Sequence, residues 1–97
     1  MKPVDLLPEA GRDFDESFDW YAERSANAAA RFAAAVDEAL RVVASDPERF
    51  AVVAPRHRAC RVQGFPFRVI YRIEPECVVV VAIAHAKRRP VYWKGRR

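Results

Sequence analysis

The sequence predicts an α+β fold of order β-α-α-β-β-β, in which an N-terminal helical hairpin packs on one face of a small, mainly antiparallel four-stranded sheet. Three observations carry that expectation. Apolar residues recur every three to four positions in the first half of the chain and every second position from about residue 58. The later segments are separated only by short turns, "GFP" and "PE". Charge divides at the same place: residues 1–50 carry 6 Lys/Arg against 11 Asp/Glu and residues 51–97 carry 11 against 2, so a total of +4 splits into −5 and +9.

Taken in order, "VDLL" reads as a short edge strand, and Pro8 with Glu9 supplies the proline and first-turn acid of a helix start. Over "PEAGRDFDESFDWYAER", Ala10, Phe14, Phe18 and Tyr21/Ala22 form one stripe, with Arg12, Asp13, Asp15, Glu16, Asp19 and Glu23 assigned to other faces. Ser25 or Asn27 caps a second helix, whose stripe is Phe32, Val36, Leu40 and Val43 and whose alanines permit close approach. The short link makes the two helices an antiparallel hairpin. The second ends at "SDPERF", because the residue before Pro47 avoids the helical region.

After Pro55, "RACRVQ", "FRVIYRIE" and "CVVVVAIA" read as strands. In the middle one, Phe67, Val69, Tyr71 and Ile73 face one way and Arg68, Ile70, Arg72 and Glu74 the other. The last is apolar on both faces, as a central strand is, and "VDLL" is the remaining candidate for its second neighbour. The helices are expected on one face, with the arginine-bearing face left open.

A chain of 97 residues with 52% apolar and 31% charged residues and 3 Gly is an ordinary folded one, expected to form a single domain over 1–97. Its longest strongly apolar run, Cys77 to Ala84, is too short to cross a bilayer, and Asp5 interrupts the stretch a signal peptide needs. A cytoplasmic location without membrane contact is expected. Cys60 and Cys77 lack CxxC or Cys/His ligand spacing and read as small buried hydrophobes. With no Gly-rich phosphate loop, no HExxH and no acid pair in the basic half beyond Glu74 and Glu76, neither cofactor nor metal is expected.

The stretch "AHAKRRPVYWKGRR" combines six Lys and Arg with a Tyr and a Trp and contains no carboxylate. Arg61 and Arg68 fall on adjacent strands, Lys87 to Arg89 leave the end of the last strand beside them, and Tyr92 follows; the four groups are expected to converge. Planar guanidinium forks match phosphate oxygens and bases stack on aromatic rings, so nucleic acid or an acidic protein surface is the expected class of partner. An arginine row on an exposed face is ordinarily just solvated, but the acids that would balance it are missing from this half. Trp93 reads as packing the tail over the sheet, and His85 as an imidazole bonded to backbone rather than a general base. Without metal, the accessible phosphoryl chemistry is attack by the 2′-OH of RNA with arginine stabilising the developing charge.

The two N-terminal helices followed by "FPFRVIYRIE", an apolar strand ending "IAH", and "RRPVYW" resemble the RelE/ParE superfamily of bacterial type II toxins over nearly the whole chain. The resemblance implies a RelE/ParE-like fold, a cognate antitoxin in a hetero-oligomer, and one of two targets. RelE-type members cleave messenger RNA on the ribosome without metal. On that pattern Arg61 and Arg68 hold the phosphate, Arg88 stabilises the transition state and Tyr92 stacks or transfers a proton, although Tyr92 lies closer to Arg88 than the pattern has it. Ala59 and Gln63 do not extend the basic pair. ParE-type members bind DNA gyrase, and the matching contacts are Lys87, Arg88, Arg89, Tyr92, Trp93 and Lys94. The "AH.KRRPVYW" ending tilts the resemblance to the ParE side. Arg68, Arg72 and Arg88 are the residues an acidic antitoxin segment would cover. A basic nucleic-acid-binding domain without toxicity is the third reading.

Overall fold

The structure, a computed structural model, describes residues 2–97. Strand β1 (Val4–Leu6) leads into helices α1 (Pro8–Arg24) and α2 (Ala26–Ser45), and after a 3-10 turn at Pro47–Arg49 come β2 (Val52–Ala54), β3 (His57–Arg61), β4 (Phe67–Ile73) and β5 (Val78–His85). The sheet order is β1-β5-β4-β3-β2, with β1 parallel to β5 and every other pair antiparallel. The expected α+β architecture is therefore present, with "VDLL" beside the last strand as anticipated. The sheet has five strands, one more than expected. The extra strand, β2, is a three-residue edge with Val52 and Val53 exposed, too short for any alternation to show in the sequence.

Helix ends follow from local chemistry. Pro8 opens α1 at a position where its missing N–H costs nothing. Ser25 closes α1 and caps α2 in one residue: its backbone N–H donates to Tyr21 O and its Oγ accepts from Ala28 N–H at 3.1 Å. Phe32 is the hub of the core, with ring centroids 5.5 Å from Phe14, 5.1 Å from Tyr21, 5.4 Å from Phe65 and 5.0 Å from Phe67. Val36, Val43 and Ala10 join it against Val69, Tyr71, Val78, Val80 and Ile83. Ala22, expected on the apolar stripe, is exposed.

Ile70 sits opposite Ala82 and Tyr71 opposite Val80, so Val81 is an extra residue in β5. The bulge resets the alternation. Val78, Val80 and Ile83 face the helices, while Val81, Ala82 and Ala84 face away.

That second face is not open. Trp93, 1% exposed, is packed with Ile70, Val81, Ala82 and Ala84, bordered by Leu7, Ala54, Ala59 and Tyr92, with the His57 ring 4.9 Å from its own. The expectation of a bare arginine face is corrected here for a physical reason: a central strand apolar on both sides must bury both, and the tail supplies the second layer. The tail does so through successive turns, with Arg88 N–H donating to His85 O, Tyr92 to Arg89 O, Lys94 to Val91 O and Arg96 to Trp93 O. Val91 adopts a φ of 50° between two of these turns.

Candidate functional site

Arg61 is the direct cross-strand partner of Arg68, and Arg68 lies opposite Ala84 on β5. Both side chains are exposed. Among the described residues, no ion pair involves Arg61, Arg68, Lys87, Arg88, Arg89 or Lys94. Arg72 differs: its Nε donates to Glu74 Oε2 at 3.0 Å, and Arg56 approaches the same oxygen at 3.5 Å. Two guanidinium groups held side by side without a carboxylate repel each other and attract an anion.

The tail cations are arranged differently. The Arg88 guanidinium lies over the Tyr92 ring, 3.8 Å from its centroid, and Arg88 and Tyr92 line a small cavity of about 130 Å³ with Asp13, Glu16 and Ser17 of α1. Tyr92 is anchored through Asp13 at the outer edge of β5, whereas Arg61 and Arg68 lie on β3 and β4. Lys87, Arg89 and Lys94 are exposed around the turn. Trp93 cannot touch a target from beneath the tail, so its place among the expected contacts is corrected to that of a support.

Asp13, assigned from sequence to a polar face, is buried. Its Oδ2 accepts from Ile83 N–H at 3.1 Å, from Tyr92 Oη–H at 3.3 Å and from Arg96 Nη1 at 2.7 Å, while Oδ1 accepts from Arg96 Nη2 at 3.3 Å. Arg96 Nη1 also donates to Val81 O at 3.0 Å. The reason lies in the sheet edge. β1 pairs with β5 only from Val78 to Val80, and Leu7 N–H closes on Val80 O, so Val81 O and Ile83 N–H beyond it need partners that no strand provides. Asp13 and Arg96 were missed by the sequence reading. The available signal was that Asp13 follows Ala10 by three residues, on the margin of the apolar stripe.

These contacts set the ionisation of the groups. Burial pushes the Tyr92 phenol up, and the neighbouring Asp13 carboxylate adds to the effect against Arg88 and Arg96. The Asp13 hydrogen bond likewise raises Arg96. His85 Nδ1 accepts from Lys87 N–H at 2.9 Å, which places the proton of the neutral ring on Nε2, and the ring stands edge-on to Phe67 at 4.8 Å.

A groove of about 740 Å³ runs between α2 and β3, with Ala35, Ala39, Val42 and Phe50 in its apolar lining and Arg49 and Arg61 among its charged residues. β2 covers β3 only as far as Ala59, where Ala59 N–H donates to Ala51 O. Cys60 lines the groove, and burial pushes its thiol up, more than Arg49 draws it down, so it stays protonated and unreactive.

Residues 4–90 match the family model described as the ParE toxin of the type II toxin-antitoxin system, parDE. The chain belongs to the ParE toxin family. A solved chain described as belonging to the chromosomal ParDE TA system from P. aeruginosa has the same fold, with a TM-score of 0.78, 16% identity, and coverage of 90% of this chain and 98% of that one. No curated protein matches the sequence. For a ParE-family toxin, the structure places the two exposed cation groups on elements of opposite kinds: Arg61 and Arg68 on rigid strands, Lys87 to Lys94 on a tail held by Asp13. Among the described residues no helix is long and apolar enough to cross a membrane, and no group of three His, Cys, Asp or Glu could hold a metal ion.

Proposed function

We propose that this protein is the toxin of a type II toxin–antitoxin module and arrests growth by binding DNA gyrase through the surface of Lys87, Arg88, Arg89, Tyr92 and Lys94. The state of Tyr92 carries this reading over ribonuclease action. Its phenol donates a hydrogen bond to a buried carboxylate, its ionisation is pushed up, and a guanidinium covers its face, so it is a fixed contact residue and not a proton shuttle. Arg61 and Arg68, which RNA cleavage would need on the same phosphate, lie on β3 and β4, whereas it is anchored at the outer edge of β5.

The antitoxin is then an acidic segment lying along the α2/β3 groove, its apolar side chains on Ala35, Ala39 and Phe50 and its carboxylates on Arg49 and Arg61, reaching Arg68 on the next strand beyond the groove. Arg72, already paired with Glu74, contributes less than Arg68 does. The purified protein is expected to accumulate cleaved DNA with gyrase while leaving a reporter message intact in a translation reaction. Ribosome-dependent cuts that disappear in Arg68→Ala/Arg88→Ala would replace gyrase with messenger RNA as the target.

A further inference from the structure

We propose that Asp13 and Arg96 are positioning residues: together they stand in for a missing strand on the outer edge of β5 and so hold the tail in the geometry that contacts the target. The functional half of this rests on the gyrase reading above; the structural half does not. A strand beside β5 would offer a donor to Val81 O and an acceptor to Ile83 N–H. Here Arg96 Nη1 is that donor at 3.0 Å and Asp13 Oδ2 that acceptor at 3.1 Å, and the two are joined by their own ion pair at 2.7 Å. The side chains of Arg96 and Asp13 are 17% and 8% exposed, so the pair is shielded from the solvent screening that weakens surface ion pairs.

What the clamp holds is the functional surface. Asp13 also takes the Tyr92 hydroxyl at 3.3 Å, and Tyr92 in turn carries Arg88 on its ring. The Arg96 guanidinium carbon lies 5.1 Å from the same ring, so the phenol sits between the two arginines and the carboxylate. Releasing Arg96 frees the last turns of the tail and removes the wall that fixes Tyr92. Trp93 and the Tyr92–Asp13 hydrogen bond then retain the segment. Three parts of the sequence, at residues 13, 81–83 and 92–96, depend on one carboxylate.

The variants are Arg96→Ala, and Asp13→Asn as one that keeps shape and the Ile83 hydrogen bond but loses the charge. Hydrogen exchange at Ile83 and at residues 91–97 of the intact protein reads the clamp directly, and helix amides in α2 serve as the internal reference. Exchange at those tail positions is expected to rise at least about tenfold in Arg96→Ala with α2 unchanged, and to rise in Asp13→Asn at the tail more than at Ile83. In parallel, gyrase inhibition by Arg96→Ala is expected to need about tenfold more protein, while binding to the antitoxin groove stays within about twofold. Unchanged tail exchange in both variants would overturn the clamp. Faster exchange with undiminished gyrase inhibition would overturn the positioning role and leave the clamp as a structural device. If the wild-type protein fails to inhibit gyrase at all, the gyrase reading falls while the exchange data still decide the clamp.

Discussion

Replacing Trp93 by alanine tests whether the tail is a layer of the core or an ornament on it. A buried indole removes about 200 Å² from water, worth ~5 kcal/mol at 25 cal/mol per Å². Compact denatured chains already hide part of that area, which lowers the figure to roughly 3–4 kcal/mol. The floor under Trp93 is strand backbone carrying Ile70, Val81 and Ala82, which cannot collapse into the space left behind, so relaxation recovers little. For a domain whose whole stability is on the order of 5–15 kcal/mol, that loss is a large share and corresponds to a fall in Tm of about 15–25 °C. Urea unfolding followed by far-UV circular dichroism measures it, with Trp93→Phe as a milder control. The intrinsic fluorescence of Trp93→Ala then reports Trp20 alone, which is 52% exposed and emits as a solvated indole. A cost below about 1 kcal/mol for Trp93→Ala would refute the two-layer account, because no buried tryptophan on a rigid sheet is that cheap.

Three further outcomes are expected. Val91, a β-branched residue at φ 50°, is strained, and Val91→Gly should raise stability by ~0.5–1 kcal/mol after the entropy cost of glycine, read as an increase in Tm of a few degrees. Arg61→Thr removes a like-charge cross-strand pair and should stabilise the fold by about 0.5 kcal/mol while weakening antitoxin binding about tenfold, a split that calorimetry and a binding assay report separately. All three tyrosines are raised above 10.0, Tyr71 to about 12 through burial. Since the folded state keeps these phenols neutral longer than the unfolded state does, their contribution to stability is constant below about pH 10 and falls as pH rises from 10 towards 12; tyrosinate absorbance should lag that of the urea-unfolded chain.

Much of this fold was legible in the sequence because its period changes sharply. Phe32, Val36 and Val43 declare a helix, Phe67, Val69 and Tyr71 a strand, and the doubly apolar β5 requires two neighbours. β2 was not legible, since three exposed-edge residues leave no period to read. Nor was the role of Asp13. A carboxylate in a helix looks solvated unless its partner, here 83 residues away at Arg96, is known to arrive beside it. The same distance hid the covering of the second sheet face: the apolar strand demanded a cover, but only the folded chain shows Trp93 providing it. The arginines were identifiable as a set, whereas their division between strands and tail depends on which way the tail turns after His85.

The pairing of Val4–Leu6 with Val78–Val80 joins the first element to the last strand, and only then can the segment carrying Trp93 and Arg96 settle. This dependence gives assembly an order. The helical hairpin can form early, but β1 waits for β5, and the tail waits for both. Until the tail settles, the sheet face beneath Trp93 is wet and Asp13 lacks its counter-charge, so the partly folded chain is chemically a different object from the finished protein. The surface proposed for the target thus depends on contacts between segments far apart in the chain, and until they form the chain has no fixed Tyr92 to present.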